Sequence, residues 1–474
     1  MQKEIKIYTG KLMYRDIEFT FVFDKTELRL IPPSDSKRII RSEWLMKSIA
    51  KGVYVEGEPL HVEEPYLKGR INENGRTIVF ITQKNDTISS YNEILIVPII
   101  AYIELNYERE SIDRISFSSP EINGIFPVNR AIKIEHTMED IMQGVYTVTT
   151  KSFDDTTSPK QQFNVDGKQV YVYFGITRGY SLSISESPIH ISSAMMFEFE
   201  PTSDYLFIYR LWEIAQKFIS FLCYRRNAWI PEVELSAPYE EGKHEKFATL
   251  YVLSQYGETE VKRIKEKRYI KQEHISGHEG RILSEIAKDM LYIRHIPETD
   301  ESGRQIDAAK FIMITAAFEW EFRQLFPEGI KKSEKTVEIE DQAEKAIQEL
   351  IDLSSGKLKK KYRFLKKLIR SDSLQDEVIY TGNQLGKVID VFGKRLYELN
   401  NGTLNYTEMG QRLADQRNHY AHGDLDKDFI GESLSDVVFM RYVVYAIQLA
   451  RFGIDEKSIQ HAINELFRCG ILIN

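Results

Sequence analysis

The hydrophobic pattern changes period once along the chain. Through residue 200 or so, apolar positions come in short runs rich in β-branched and aromatic side chains, some of them alternating, as at 18–23 (EFTFVF), 76–81 (RTIVFI), 94–105 and 170–176. Successive strand side chains point to opposite faces, so such runs, divided by Gly, Asn, Asp and Pro, predict strands of a sandwich or a closed, barrel-like sheet. From residue 204 the spacing becomes helical. Leu206, Tyr209, Leu211, Trp212, Ala215, Phe218, Ile219 and Leu222 recur at helical intervals as far as Pro231, and further helices are predicted over about 244–270 and 279–293.

The stretch 297–303 (PETDESG) reads as a linker. Beyond it, helices are predicted over 305–325, 342–353, 357–370, 383–399, 408–421, 433–452 and 456–468. In the last, Ile459, Ala462, Ile463, Leu466 and Phe467 make one core-facing stripe. Many helices with short connections predict an antiparallel bundle. The expected fold class is α+β and multidomain, with a β-rich N-terminal domain over 1–203, a helical connecting region over 204–300 and an all-α bundle over 301–474.

Composition narrows this. At 474 residues, 42% hydrophobic and 12% aromatic, the chain can build packed cores in two or three domains. No uncharged run reaches the roughly 18 residues of a membrane helix, and the opening MQKEIKIYTG lacks the pattern of an export signal. A cytoplasmic protein without a membrane partner is expected. Two cysteines, Cys223 and Cys469, are too few for a disulfide framework and stand near no paired His, so neither metal nor cofactor is expected. A net charge of −8 argues against coating nucleic acid along the whole length. Any such contact must be local.

One segment has the local charge. Lys357, Lys359, Lys360, Lys361, Arg363, Lys366, Lys367 and Arg370 crowd into 357–370 with no acid among them, while Leu358, Tyr362, Leu365 and Ile369 form a stripe at helical spacing. A helix docked by that stripe and offering cations outward suits an RNA backbone. A plain solvated face is the alternative.

The candidate chemistry lies at Arg417-Asn418-His419-Tyr420-Ala421-His422. An arginine offers a permanent cation for phosphate, and an imidazole titrates where protons must move near neutrality. Relaxed spacing also admits Arg268 with His274 and Arg412 with His419, but Asn418 and His422 share a helical face. An ideal helix separates Arg417 from His422 by about 140°, so a long reach or a bent turn is needed to bring both to one phosphate. Glu319 and Glu321 interrupt the apolar stretch 315–322. A buried carboxylate needs a partner, so one of them, Glu319 for preference, would hold Arg417 in a productive rotamer; both facing water is the alternative. His419 is either a second base or a packing residue. A purely structural role for Arg417 and His422 also stays open.

The Arg417 to His422 block resembles the Arg-x4-His motif of HEPN-type helical ribonucleases, in which Asn is a common second residue. With a β-rich region ahead of a helical bundle, the chain is similar to the ApeA-like HEPN proteins of bacterial anti-phage defence. The resemblance implies a metal-independent endoribonuclease that cleaves RNA by attack of the ribose 2′-hydroxyl, leaving a 2′,3′-cyclic phosphate. In it His422 would move protons, Arg417 would stabilise the phosphorane and Asn418 would position phosphate or imidazole. It also implies a homodimer through the C-terminal bundle and a phage-derived trigger at the N-terminal domain. The Tyr that some HEPN toxins carry two residues past the His is missing from His422-Gly423-Asp424. The rival expectation is a catalytically inactive HEPN-like protein that binds RNA or dimerises.

Overall fold

In the computed structural model, the described residues are 7–40, 49–50, 53–54, 60–83, 85–91, 93–109, 111–145, 147–182, 187, 189–228, 230–240, 243–253, 268–423, 429 and 431–473. The chain divides into two compact units, Met1–Glu266 with Glu279–Lys288, and Lys267–His278 with Asp289–Asn474.

The first unit is built on a fourteen-stranded antiparallel sheet. From one edge its order is Gln161–Val165, Lys168–Tyr180, Ile189–Thr202, Ile112–Phe117, Glu232–Glu240, Lys243–Val252, Ile99–Leu105, Thr77–Thr82, Tyr66–Ile71, Tyr8–Tyr14, Ile17–Phe23, Leu28–Ile31, Ile94–Val97 and Ser89–Tyr91. The alternation at 18–23 does what a period of two dictates: Phe19, Phe21 and Phe23 all point inward. Phe21 and Phe23 meet the Phe80 ring edge-on at 5.3 and 5.1 Å, and Phe23 meets Tyr102 at 4.9 Å. Gly10 is required where two strands converge, because a Cβ there would lie 2.1 Å from the Arg70 carbonyl oxygen.

Helix α1 (Tyr205–Cys223) belongs to this unit. Asp204 caps its first turn, accepting from the Phe207 N–H at 3.0 Å. Its polar core residues serve the following segment: the Trp212 indole donates to the Ile230 carbonyl at 2.8 Å, and Gln216 both donates to Ala228 and accepts from the Ile230 N–H. Just past the helix a buried Arg225 pairs with buried Glu121 at 2.6 Å. Helix α2 (Glu279–Ala287) is packed against the edge strand Gln161–Val165.

Two sequence expectations are corrected here. Residues 204–300 are not a purely helical connection, because Glu232–Glu240 and Lys243–Val252 are paired strands in the middle of the sheet. The stretch 243–252 carries Phe247, Thr249, Tyr251 and Val252, which suit a pleated, buried surface, and this preference overrides the weak helical spacing expected over 244–270; 254–267 lies outside the described residues. The supposed linker at 297–303 carries the short helix Asp300–Arg304, begun by a capping box between Thr299 and Ser302, with Asp300 buried.

The second unit contains α3 (Ala308–Leu325), α4 (Glu334–Asp352), α5 (Gly356–Ile369), α6 (Leu374–Leu399), α7 (Tyr406–His422), α8 (Ser433–Arg451) and α9 (Glu456–Phe467). Asp307, Ser333, Ser373, Asn405 and Asp455 cap five of them through side-chain oxygens. Helix α8 is the centre of the bundle, packing on α3, α6, α7 and α9. A polar clamp ties it to its neighbours: Arg412 of α7 grips Asp436 of α8 with two bonds of 2.7 and 2.8 Å, and the Tyr397 hydroxyl of α6 donates to the same carboxylate. Helices α4 and α5 form an antiparallel hairpin packed chiefly on itself. Lys332 ties the hairpin base down, reaching Glu340 at 2.7 Å and Asp372 at 3.2 Å.

Candidate functional site on the helical unit

Helix α7 carries the Arg417 to His422 block. Met409, Leu413 and Gln416 recur at i, i+4 and i+7 and are buried, which fixes the inward face. Arg417 follows at the rim of that face and pairs through Nη1 with Glu319 Oε1 of α3. The Arg417 side chain keeps 41% of its exposure against 17% for Glu319, so the carboxylate is sheltered while the guanidinium still faces water. A fixed, half-exposed guanidinium can offer its remaining edge to phosphate. Asn418 and His422 are exposed, and Tyr420 packs edge-on against Phe311 at 5.3 Å. The helix continues regularly to His422 and stops at Gly423, whose φ of 77° favours glycine. Hence no bent turn brings His422 round to Arg417; the two flank a face about 140° apart. His419 and His422, in the last turn, place any positive charge they carry at the favourable end of the helix dipole.

The two candidate glutamates have separate fates. Glu321 is fully buried, accepting from the Tyr292 N–H at 2.7 Å and pairing with Arg451 at 2.8 Å. Glu319 takes Arg417. The competing arginines have other partners: Arg412 is held by Asp436, and Arg268 faces Asp300 at 3.4 Å, while His274 faces Glu465 at 3.4 Å.

The cluster contains a residue that sequence reasoning missed. Glu377, in the first turn of α6, is buried, and among the described residues its Oε2 has no hydrogen-bond partner. Burial, reinforced by the nearby Glu319 carboxylate, pushes its carboxyl up to about 7 against the pull of Arg323 and Arg417. An acid in a first helical turn looks like ordinary dipole compensation. Its position three residues after Leu374 and four before Thr381, both buried, was the signal that it faces the core.

The basic helix α5 meets only part of its expectation. Tyr362 and Ile369 are partly covered, but Leu358 and Leu365 remain exposed, because the hairpin docks on no third helix among the described residues. Nor are all eight cations open: Lys366 reaches Glu344 at 3.4 Å and Arg370 reaches Glu344 at 2.8 Å. Lys359, Arg363 and Lys367 line one side of a groove of about 600 Å³ along the hairpin, opposite Glu344 and Asp352. Lys357, Lys360 and Lys361 are exposed.

The β-rich unit also holds a polar chain not foreseen. His244 Nδ1 lies 3.0 Å from Asp113 and its Nε2 lies 3.1 Å from Glu198, which also accepts from Tyr173 at 2.9 Å. His244 stands on the strand misread as helix. Among the described residues no cluster of three His, Cys, Asp or Glu side chains could hold a metal ion, and no helix is long and apolar enough to cross a membrane. Compared with protein-family models, curated proteins and solved structures, the chain matches none.

Proposed function

We propose that the helical unit is a metal-independent endoribonuclease of the HEPN type, acting in anti-phage defence on host or phage RNA. The observation that carries the reading is the Arg417 to Glu319 pair at the rim of the bundle, beside which α7 presents Asn418 and His422 to solvent. In the proposed reaction the ribose 2′-oxygen attacks phosphorus, the 5′-oxygen of the next nucleotide leaves, and a 2′,3′-cyclic phosphate remains. His422 transfers one of the two protons, Arg417 neutralises the phosphorane and Asn418 orients the phosphate. Glu377 is a positioning residue: neutral, it leaves Glu319 alone to hold the guanidinium; ionised, it adds a second negative charge behind it.

One His serves one proton transfer at a time, and Arg417 turns toward Glu319 while His422 turns to water. Both facts favour a homodimer in which two copies of α7 complete one cleft. Control is assigned to the β-rich unit, which in this reading responds to a phage-derived trigger in the cytoplasm. A second reading, an inert RNA-binding bundle, is favoured by the cationic groove of the hairpin, which needs no His422.

The test is total RNA from bacteria expressing wild type, Arg417→Ala or His422→Ala, with and without phage, resolved on a gel. The proposal expects infection-dependent fragments in EDTA-insensitive fashion, reduced about a hundredfold or more by either substitution. Fragments unaffected by His422→Ala, or protection without any RNA cleavage, would leave the binding reading in its place.

A further inference from the structure

The cations of α5 are out of balance with their surroundings. Among the described residues only Lys366 and Arg370 reach a carboxylate, Glu344 for the first, Glu344 and Asp341 for the second. Lys357, Lys359, Lys360, Lys361, Arg363 and Lys367 form no ion pair among the described residues, in a chain whose net charge is −8. Lys357 with Lys361, Lys359 with Arg363 and Arg363 with Lys367 are like charges one helical turn apart, and such pairs weaken a helix. A bound polyanion turns that repulsion into attraction.

The cations are also ordered. Lys360, Arg363, Lys367 and Arg370 follow one another at steps of three, four and three residues. They fall within about 80° of one another around the helix axis and climb about 15 Å along it, one positive charge roughly every 5 Å. The row borders the groove between α4 and α5, whose lining includes Lys359 and Lys366. Lys357 and Lys361 point away, at least about 60° beyond the row. Across the groove α4 presents Glu344 and Asp352, with Asp341 one turn before Glu344.

We propose that this row is the track of an RNA phosphate backbone, and that Glu344 and Asp341 are its built-in competitors. A strand entering the groove takes Lys366 and Arg370 from the carboxylates and pairs them with phosphates. The proposal rests on RNA as the ligand of the readings above and not on cleavage at His422. Arg363 and Arg370 supply planar forks that match two phosphate oxygens at once. The contacts to be exchanged are weak, because the Arg370 and Asp341 side chains keep 52% and 48% of their exposure. Occupancy is therefore decided by competition between carboxylate and phosphate. A phosphodiester chain carries one charge per nucleotide without interruption and can match each step of the row, whereas a peptide does so only with a repeated acidic sequence. A bilayer surface is too flat to enter a groove whose far wall is acidic.

The experiment is fluorescence anisotropy of an end-labelled, single-stranded 2′-O-methyl oligonucleotide with the full chain over a salt series. This probe lacks the attacking 2′-hydroxyl, so binding is read apart from cleavage. Binding of the probe with no cleavage of ordinary RNA leaves the track standing and removes the ribonuclease reading. Lys360→Gln with Lys367→Gln is expected to weaken binding about tenfold and to flatten the slope of log K against log salt by about 1.4, two contacts at about 0.7 each. Lys357→Gln with Lys361→Gln removes the same charge from outside the row and is expected to change affinity less than about twofold. Asp341→Asn with Glu344→Gln is expected to tighten binding about tenfold. Because a variant can fail to fold, lysine acetylation of the wild-type chain gives a second measurement, with the oligonucleotide expected to shield Lys360 and Lys367 more than Lys357 and Lys361. Absence of binding at low salt, equal losses from the two lysine pairs, unchanged or weaker binding by Asp341→Asn with Glu344→Gln, or binding of an acidic peptide or anionic vesicles in place of the oligonucleotide would each overturn the proposal.

Discussion

Helices α5 and α8 lie in the same unit and hold their shape by different means. In α8 most side chains, from Ser433 to Leu449, are buried against four neighbours. In α5 none is buried, the Ser355 side chain makes no capping bond and Lys357 and Lys359 stand where the helix dipole prefers acids. The first helix is held by tertiary packing and the second by one partner and a row of ion pairs, and packing is by far the stronger source.

The sharpest test of this contrast is to damage each region equally. Glu321→Ala in the bundle leaves the Arg451 guanidinium, only 10% exposed, without its carboxylate and is expected to cost about 3–5 kcal/mol in urea unfolding. Leu365→Ala in the hairpin is expected to change stability by less than about 0.5 kcal/mol.

A smaller effect depends on pH and isolates the site from both. The Glu377 carboxyl sits near 7 in the folded protein against an ordinary value of 4.5. The folded state therefore binds its proton more tightly, so this contribution is complete below about pH 4.5 and is lost as pH rises through 7. Wild type should lose up to roughly 3 kcal/mol over that window relative to Glu377→Gln. Matched pH profiles for the two proteins would mean that Glu377 is not buried as described. Smallest is a repair of the hairpin itself: Lys357→Glu should strengthen hydrogen-exchange protection in α5 by about 0.3–1 kcal/mol while leaving α8 unchanged.

The same contrast explains what was legible in the sequence. The bundle helices could be bounded to within a few residues at α7, α8 and α9, because burial on one side imposes a period of 3.6. Contact between Glu319 and Arg417 could be anticipated because a carboxylate among apolar neighbours needs a cation. Helix α4 was found only from 342, although it starts at Glu334, since its first two turns are charged and exposed and carry little period. Strand 243–252 was misread because its second half, 247–252, is buried or nearly so on both faces and shows no alternation to distinguish it from a helix. Asp113, His244 and Glu198 are brought together from distant positions within the β-rich unit, which spacing along one segment cannot reveal.

Helix α3 is keyed at two points. Glu319 and Glu321 project about 200° apart around its axis, one held by α7, the other by α8 and the Tyr292 amide. Such a shaft has no rotational play: turning it far enough to release Arg417 would drag the Glu321 charge out of the interior. The orientation of the guanidinium is thus indexed by a carboxylate on the far side of the helix. Tyr292 stands four residues after Lys288, where the chain leaves the β-rich unit.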